Sequence, residues 1–157
     1  MARLHRKYKH EAFDPRIRAL TLQFVKMRPW DRPDAETERL FRTWVHGACT
    51  VYQIPEPELV RIPVTVPSAE PTWGAYRENT IFLRRWSMIS LFHQFRHHMQ
   101  EHAEEHDRTD DPEDAQAWAC SLFYVVAPRR FRRMARAGRI VGVSAEDLEP
   151  RGNRAHV

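Results

Sequence analysis

The spacing of apolar residues predicts two helices in the first third of the chain. The first opens with Asp14 as a cap and Pro15 at its first position, and its apolar residues fit helical spacing moderately well. A proline-containing break at 29–34 precedes the second helix, for which Asp34 is the expected cap. The apolar residues of the second helix recur every three or four positions, which predicts a face packed on the core. They are Leu40, Phe41, Trp44, Val45, Ala48 and Val51.

The pattern changes to alternation in the middle of the chain. Residues 59–67, LVRIPVTVP, alternate and are rich in β-branched side chains, so they predict a strand. Pro63 restricts this strand to an edge or a bulge. Residues 74–83 predict a second strand or a hairpin that turns near Glu78 and Asn79.

Helical signals return after the strands. Residues 86–106 predict a helix that begins near Ser87 or Ser90, and Asp111 with Pro112 forms the start signal of the next helix.

A short arginine-rich helix is expected to begin at Pro128 and to end at Gly138.

The order of these elements predicts an α+β fold in a single domain of residues 1–157. Residues 1–12 are expected to form a basic arm and residues 150–157 a frayed tail. The chain is 42% hydrophobic and 29% charged, which is typical of a soluble globular protein rather than a disordered one. Cys49 and Cys120 lie in apolar helical patterns without CxxC spacing, so we expect buried free thiols and a reducing compartment.

Charge and hydropathy restrict the possible binding partners only in part. The net charge of +4 permits attraction to polyanions without requiring it. No apolar run approaches the roughly 18–20 residues that a membrane span needs, and the basic N-terminus is not followed by an apolar signal core. We therefore expect an intracellular protein with no membrane partner.

Candidate chemistry lies in the histidine-rich third helix. At about 100° per residue its apolar residues form one arc, and His93 and His97 lie about 40° apart at the border of that arc. Two imidazoles one turn apart can bind the same metal ion, although histidines at this spacing also occur by chance on a helix. His98, His102 and His106 do not share this geometry, and we expect them to face water.

A zinc ion in a hydrolase needs a third protein ligand and leaves its fourth position to water. The following helix offers Asp114, with Glu113 as its substitute, and His106 is a further alternative. Helix capping explains the acids equally well, because Asp111 followed three residues later by Asp114 is a helix-start pattern. The residues alone therefore leave the third ligand open.

Two neighbouring motifs resemble a known family. The segment HQFRHH follows GAYRENTIFL and precedes EDAQAWACSLFYVVAP, which resembles the gluzincin zinc metallopeptidases. The small ImmA/IrrE-like proteins of phages and mobile elements are the most similar branch. Their second helix reads acid-alanine-asparagine-x-phenylalanine-alanine before a leucine pair and a proline. The matching residues here are Asp114, Ala115, Gln116, Ala117, Trp118 and Ala119, then Leu122, Phe123 and Pro128, within a resemblance that covers about 75–130.

This resemblance implies a zincin-like domain that hydrolyses peptide bonds with Zn²⁺ in the cytoplasm of a bacterial or phage-infected host cell. It implies that His93, His97 and Asp114 are the zinc ligands. It also implies that the small sheet binds an extended protein or peptide substrate by strand addition. The SprT-like zinc proteases are less similar, because they would need a third histidine.

Two departures from the family matter: the third ligand is an aspartate, and Gln94 stands where the family has its catalytic glutamate. The glutamate accepts the proton of the zinc-bound water, which a glutamine amide cannot do. Loss of a general base costs on the order of 10²–10⁴-fold in rate. We therefore expect little or no turnover, either in a natural pseudoenzyme or in an inactivated variant, and the otherwise intact pattern favours the latter slightly.

A second hypothesis is a non-catalytic protein on a relict zincin scaffold, associated with nucleic acid or with phage or mobile-element assembly. It rests on the arginines of the last helix, which could contact phosphates or an acidic protein partner. A solvated helix face explains the same residues. They are Arg129, Arg130, Arg132, Arg133 and Arg136.

Overall fold

The computed structural model describes residues 13–63, 74–104, 108–143 and 147. The fold is α+β, as predicted. Its helices are α1 (Pro15–Lys26), α2 (Asp34–Tyr52), α3 (Met88–Glu101), α4 (Pro112–Val126) and α5 (Pro128–Arg136), and its strands are β1 (Glu58–Arg61), β2 (Gly74–Arg77) and β3 (Thr80–Leu83). The predicted arm at 1–12, the predicted tail at 150–157 and His106 lie outside the described residues.

Local chemistry sets most of the helix starts. The Asp14 carboxylate accepts from the backbone N–H of Arg16 at 2.8 Å, and the Asp111 carboxylate accepts from the N–H groups of Glu113 and Asp114. The expectation for Asp34 was wrong, because α2 begins at Asp34 itself and its carboxylate forms an ion pair with Arg61. Asp34 therefore lies in the first turn, where its negative charge interacts favourably with the helix dipole.

The three strands form one mixed sheet of order β1-β3-β2. β1 runs parallel to β3, and β2 pairs with β3 in the predicted antiparallel hairpin. Glu78 and Asn79 form its turn, with φ angles of 48° and 58°. β1 ends at Arg61, two residues before Pro63, and the predicted continuation of this strand at 64–67 lies outside the described residues.

Helix α3 lies at the centre of the fold, between α4 and the sheet. The face of α2 that carries Phe41, Trp44 and Val45 is buried, as its spacing predicts. Trp44 packs against Phe92 and Phe95 of α3 with ring centroids 4.8 and 5.1 Å apart. Most of the residues of α3 are buried by these neighbours.

Both cysteines are buried free thiols, as expected.

The C-terminus of α5 has the backbone pattern that glycine favours. Gly138 has φ +68°, its N–H donates to Ala135 O, and the N–H of Arg139 donates to Met134 O. A Cβ added to Gly138 would meet nothing within 4 Å, so only backbone strain opposes a side chain.

We expect Gly138→Ala to lower the free energy of unfolding by about 1 kcal/mol, because alanine is strained at positive φ. Urea denaturation measures the change. Gly138→Asn is the matched control and should lose less, because asparagine tolerates the left-handed conformation. Equal losses in the two variants would contradict this explanation of the helix end.

Candidate metal centre on helix α3

Helix α3 directs His93 and His97 toward each other. Their Nε2 atoms lie 3.2 Å apart, and both side chains are partly buried. Zinc–nitrogen bonds of about 2.0–2.1 Å in a tetrahedron place two ligand nitrogens roughly 3.3 Å apart. The two nitrogens therefore have the separation of two imidazole ligands on one ion.

The other ring nitrogen of His93 is held by Gln116 of α4. Its Nδ1 lies 2.8 Å from Gln116 Oε1. The amide nitrogen of Gln116 donates to the carbonyl of Val141 at 2.8 Å, which fixes the orientation of this amide. Because Oε1 can only accept, His93 donates through Nδ1–H, and Nε2 keeps its lone pair in the neutral ring.

Gln100 holds His97 in the same way. Nδ1 of His97 lies 3.0 Å from Gln100 Oε1, and the amide nitrogen of Gln100 donates to the Asp111 carbonyl and to the Asp114 carboxylate. The exposed carboxylate of Asp110 also contacts this Nδ1 at 3.1 Å. His97 is therefore also a donor at Nδ1 and carries a lone pair at Nε2 when neutral.

When both rings are neutral, these tautomers leave two lone pairs facing each other across 3.2 Å, whereas a proton on either Nε2 would bridge the two rings. Burial is the main cause that lowers the pKa of His93, and His97 lowers it further, while the hydrogen bond with Gln116 opposes them. A lowered pKa favours the neutral form of the His93 ring. A bound cation would remove the repulsion between the two Nε2 atoms.

The predicted third ligand has a different partner. The Asp114 carboxylate accepts from Nε of Arg96 at 2.7 Å and from the Gln100 amide at 2.8 Å. Among the described residues, no third histidine, cysteine or acidic side chain joins His93 and His97 in a group whose ligand atoms lie within 4.8 Å of one another. The exposed Glu113 also stays outside such a group, so both ligand roles remain predictions.

The same helix carries a cluster that could hold a metal ion. Ligand atoms of His98, Glu101 and His102 lie within 4.8 Å of one another. His98 and Glu101 lie in the last turn of α3 and His102 is its C-terminal cap, and their three- and four-residue spacing was present in the sequence. The identity of an ion at this cluster is not determined by the three residues, which offer both nitrogen and oxygen ligands.

The expectation that His98 faces water was wrong, because its exposed fraction is 0%. Nε2 donates to the carbonyl of Pro55 at 2.7 Å, and Nδ1 lies 2.9 Å from the hydroxyl of Tyr76, which also contacts the Glu101 carboxylate. Burial lowers the pKa of His98. The loop before β1 and strand β2 cover this side of α3, so a metal ion here would have to displace existing hydrogen bonds.

A cavity of about 700 Å³ lies beside the histidine pair, and His93, Gln94, Arg85 and Gln116 are among its lining residues. Gly74, at the start of the edge strand β2, also lines it. A Cβ at Gly74 would lie 2.6 Å from the carbonyl of Phe82 and 3.4 Å from Cγ of Gln94. The backbone of an edge strand thus lies close to Gln94.

The five arginines of α5 do not line one common surface. Arg129, Arg130 and Arg133 line a second cavity. Arg132 instead donates to the hydroxyl of Tyr124 at 3.0 Å, and Arg136 is exposed outside that cavity. The predicted contact of these five residues with nucleic acid or an acidic partner remains a prediction.

None of the described helices combines the length and the apolar character needed to cross a membrane. Comparison of the chain with protein-family models, with curated proteins and with solved structures finds no match. The resemblance to zincins therefore rests on the residues of this chain alone.

Proposed function

We propose that this chain is a zinc-binding protein of the metallopeptidase type that binds an extended peptide and cleaves it poorly or not at all. The ion would be held by Nε2 of His93 and Nε2 of His97. The observation that supports this best is the 3.2 Å separation of two Nε2 atoms whose rings both donate through Nδ1 to glutamine side chains. Hydrogen bonds of this kind orient imidazole ligands and raise their basicity.

The donor set favours zinc over the hard cations. Imidazole nitrogens suit zinc, whereas Mg²⁺ and Ca²⁺ prefer carboxylate, carbonyl and water oxygens. When bound, zinc would lower the pKa of a coordinated water molecule and polarise a peptide carbonyl. Asp114 would serve as the third ligand from a carboxylate that also forms an ion pair with Arg96.

The chain's own residues support peptide binding more than turnover. Gln94 lines the cavity next to His93. Its amide can hydrogen-bond a water molecule or a peptide group, but it cannot take up a proton at ordinary pH. β2 has one edge free of strand partners among the described strands, so an extended segment could pair with it close to Gln94.

Zinc titration tests the proposal. We expect about one equivalent of Zn²⁺ per chain, with binding weakened about 100-fold or more by His93→Ala or His97→Ala. The reason is that loss of one imidazole leaves a single protein ligand at the site. Calorimetry, or competition with a chromogenic chelator, measures the affinity.

His102→Ala is the matched control, because it removes the histidine at the C-terminal cap of α3, which belongs to the other candidate cluster. Unchanged zinc affinity in His102→Ala supports the His93 and His97 site. If His102→Ala abolishes binding while His93→Ala retains it, the ion belongs to the His98, Glu101 and His102 cluster and the proposal fails.

A further inference from the structure

A second cavity, of about 560 Å³, lies away from the metal centre, between the end of α1 and the start of α5. Arg28, Arg129, Arg130 and Arg133 line it, together with apolar side chains that include Val25 and Trp30. Although Arg28 is paired with Asp31, four lining arginines give the cavity a positive charge that favours an anion. The cavity is large enough for a small organic molecule, since ligand sites usually measure about 300–1,000 Å³.

Arg130 is fixed in this cavity without a full set of partners. Its guanidinium lies over the ring of Trp30, 3.6 Å from the centroid. Its Nε is buried and has no hydrogen-bond partner among the described residues. A buried donor without a partner is costly, but Nε has almost no accessible surface, so the terminal nitrogens of Arg130 are the donors that a ligand in the cavity would meet.

The charges around Arg130 are predominantly positive. Burial is the main cause that lowers the pKa of Arg130, and Arg133 and Arg28 lower it further. The carboxylate of Asp31 acts in the opposite direction, but it already forms an ion pair with Arg28. Most of the positive charge in the cavity is therefore not compensated by Asp31.

Helix α5 begins at the same cavity. It is nine residues long, starts at Pro128 and has no side-chain cap. Its first internal backbone hydrogen bond joins the N–H of Phe131 to Ala127 O. The N–H groups of Arg129 and Arg130 precede that bond and, like the positive end of the helix dipole, favour an anion.

We propose that this cavity binds a small organic phosphate, with its phosphoryl group among the four arginines and its organic part against Val25, Trp30 and Pro128. A dianionic phosphoryl group can accept hydrogen bonds from several guanidinium groups at once. The concave volume favours a small molecule over a nucleic-acid strand, because the arginines of α5 do not form a continuous stripe. Arg132, bound to Tyr124, and Arg136 both lie outside the cavity.

Calorimetric titration at constant ionic strength tests this site, with phenyl phosphate, inorganic phosphate and phenol as probes. We expect phenyl phosphate to bind saturably at one site per chain and more tightly than inorganic phosphate, and phenol not to bind. Arg129→Gln and Arg133→Gln should each weaken phenyl phosphate about tenfold, which is the cost of one charge-assisted contact. Both residues are exposed, so neither change should unfold the chain.

Arg136→Gln is the matched control on the same helix and should leave the affinity unchanged. Equal weakening by Arg136→Gln and Arg133→Gln would mean that only the overall charge matters and would overturn the proposal. Failure of both phosphates to saturate a site would overturn it as well. So would competition confined to long oligonucleotides with a steep dependence on salt, which marks a polyelectrolyte surface.

Discussion

The zinc-loaded variant Gln94→Glu is expected to hydrolyse an unstructured protein such as casein about 10²–10⁴ times faster than the chain with Gln94. The change replaces an amide by a carboxyl group of nearly the same shape, so the cavity beside His93 should keep its form. Gln94 is 8% exposed, so burial at this position would raise the pKa of a glutamate, while the charge of a bound zinc ion would act in the opposite direction.

The faster hydrolysis by Gln94→Glu should require the bound zinc ion. The double variant Gln94→Glu with His97→Ala controls for contaminating proteases, and we expect it to be as inactive as the chain with Gln94. The rate of release of labelled casein peptides measures the activity. If Gln94→Glu binds one zinc ion at His93 and His97 and still cleaves nothing, the peptidase part of the proposal is refuted while metal binding stands.

Features that depend on neighbours in sequence could be predicted well. Asp14 with Pro15 and Asp111 with Pro112 mark helix starts because capping involves side chains and backbone groups two or three residues apart. Gly138 ends α5 because a left-handed residue suits glycine. The approach of His93 to His97 also follows from local geometry, since residues four apart lie on one face of a helix.

Features that depend on packing between elements could not be predicted. A helical wheel assumes one buried face, but α3 is covered by α4 on one side and by the sheet on another. His98 therefore became buried on the side that the wheel assigned to water. Gln116 contacts His93 only because α3 and α4 pack against each other, and Arg96 forms its ion pair with Asp114 for the same reason. Gln100 lies on α3 three residues from His97, but its amide is oriented by Asp111 and Asp114.

The variant His98→Ala should lower the free energy of unfolding by about 3 kcal/mol. The imidazole is fully buried, so its removal leaves a cavity, and deletion of a large buried side chain costs about 2–5 kcal/mol. It also removes the hydrogen bonds to Pro55 and Tyr76, of which each typically contributes about 0.5–1.5 kcal/mol. Urea denaturation in the presence of a chelator measures the effect without a contribution from bound metal.

His102→Ala is the matched control, four residues further along the chain at the C-terminal cap of α3. Its side chain is partly exposed and makes a longer contact of 3.3 Å with Asn79, so we expect a loss of less than about 1 kcal/mol. The comparison distinguishes an α3 whose His98 is buried from one whose His98 faces water. In the second arrangement, neither variant would lower the free energy of unfolding by much. A small loss in His98→Ala would therefore refute the packing of the Pro55 loop and β2 against α3, and with it the position of the edge strand beside Gln94.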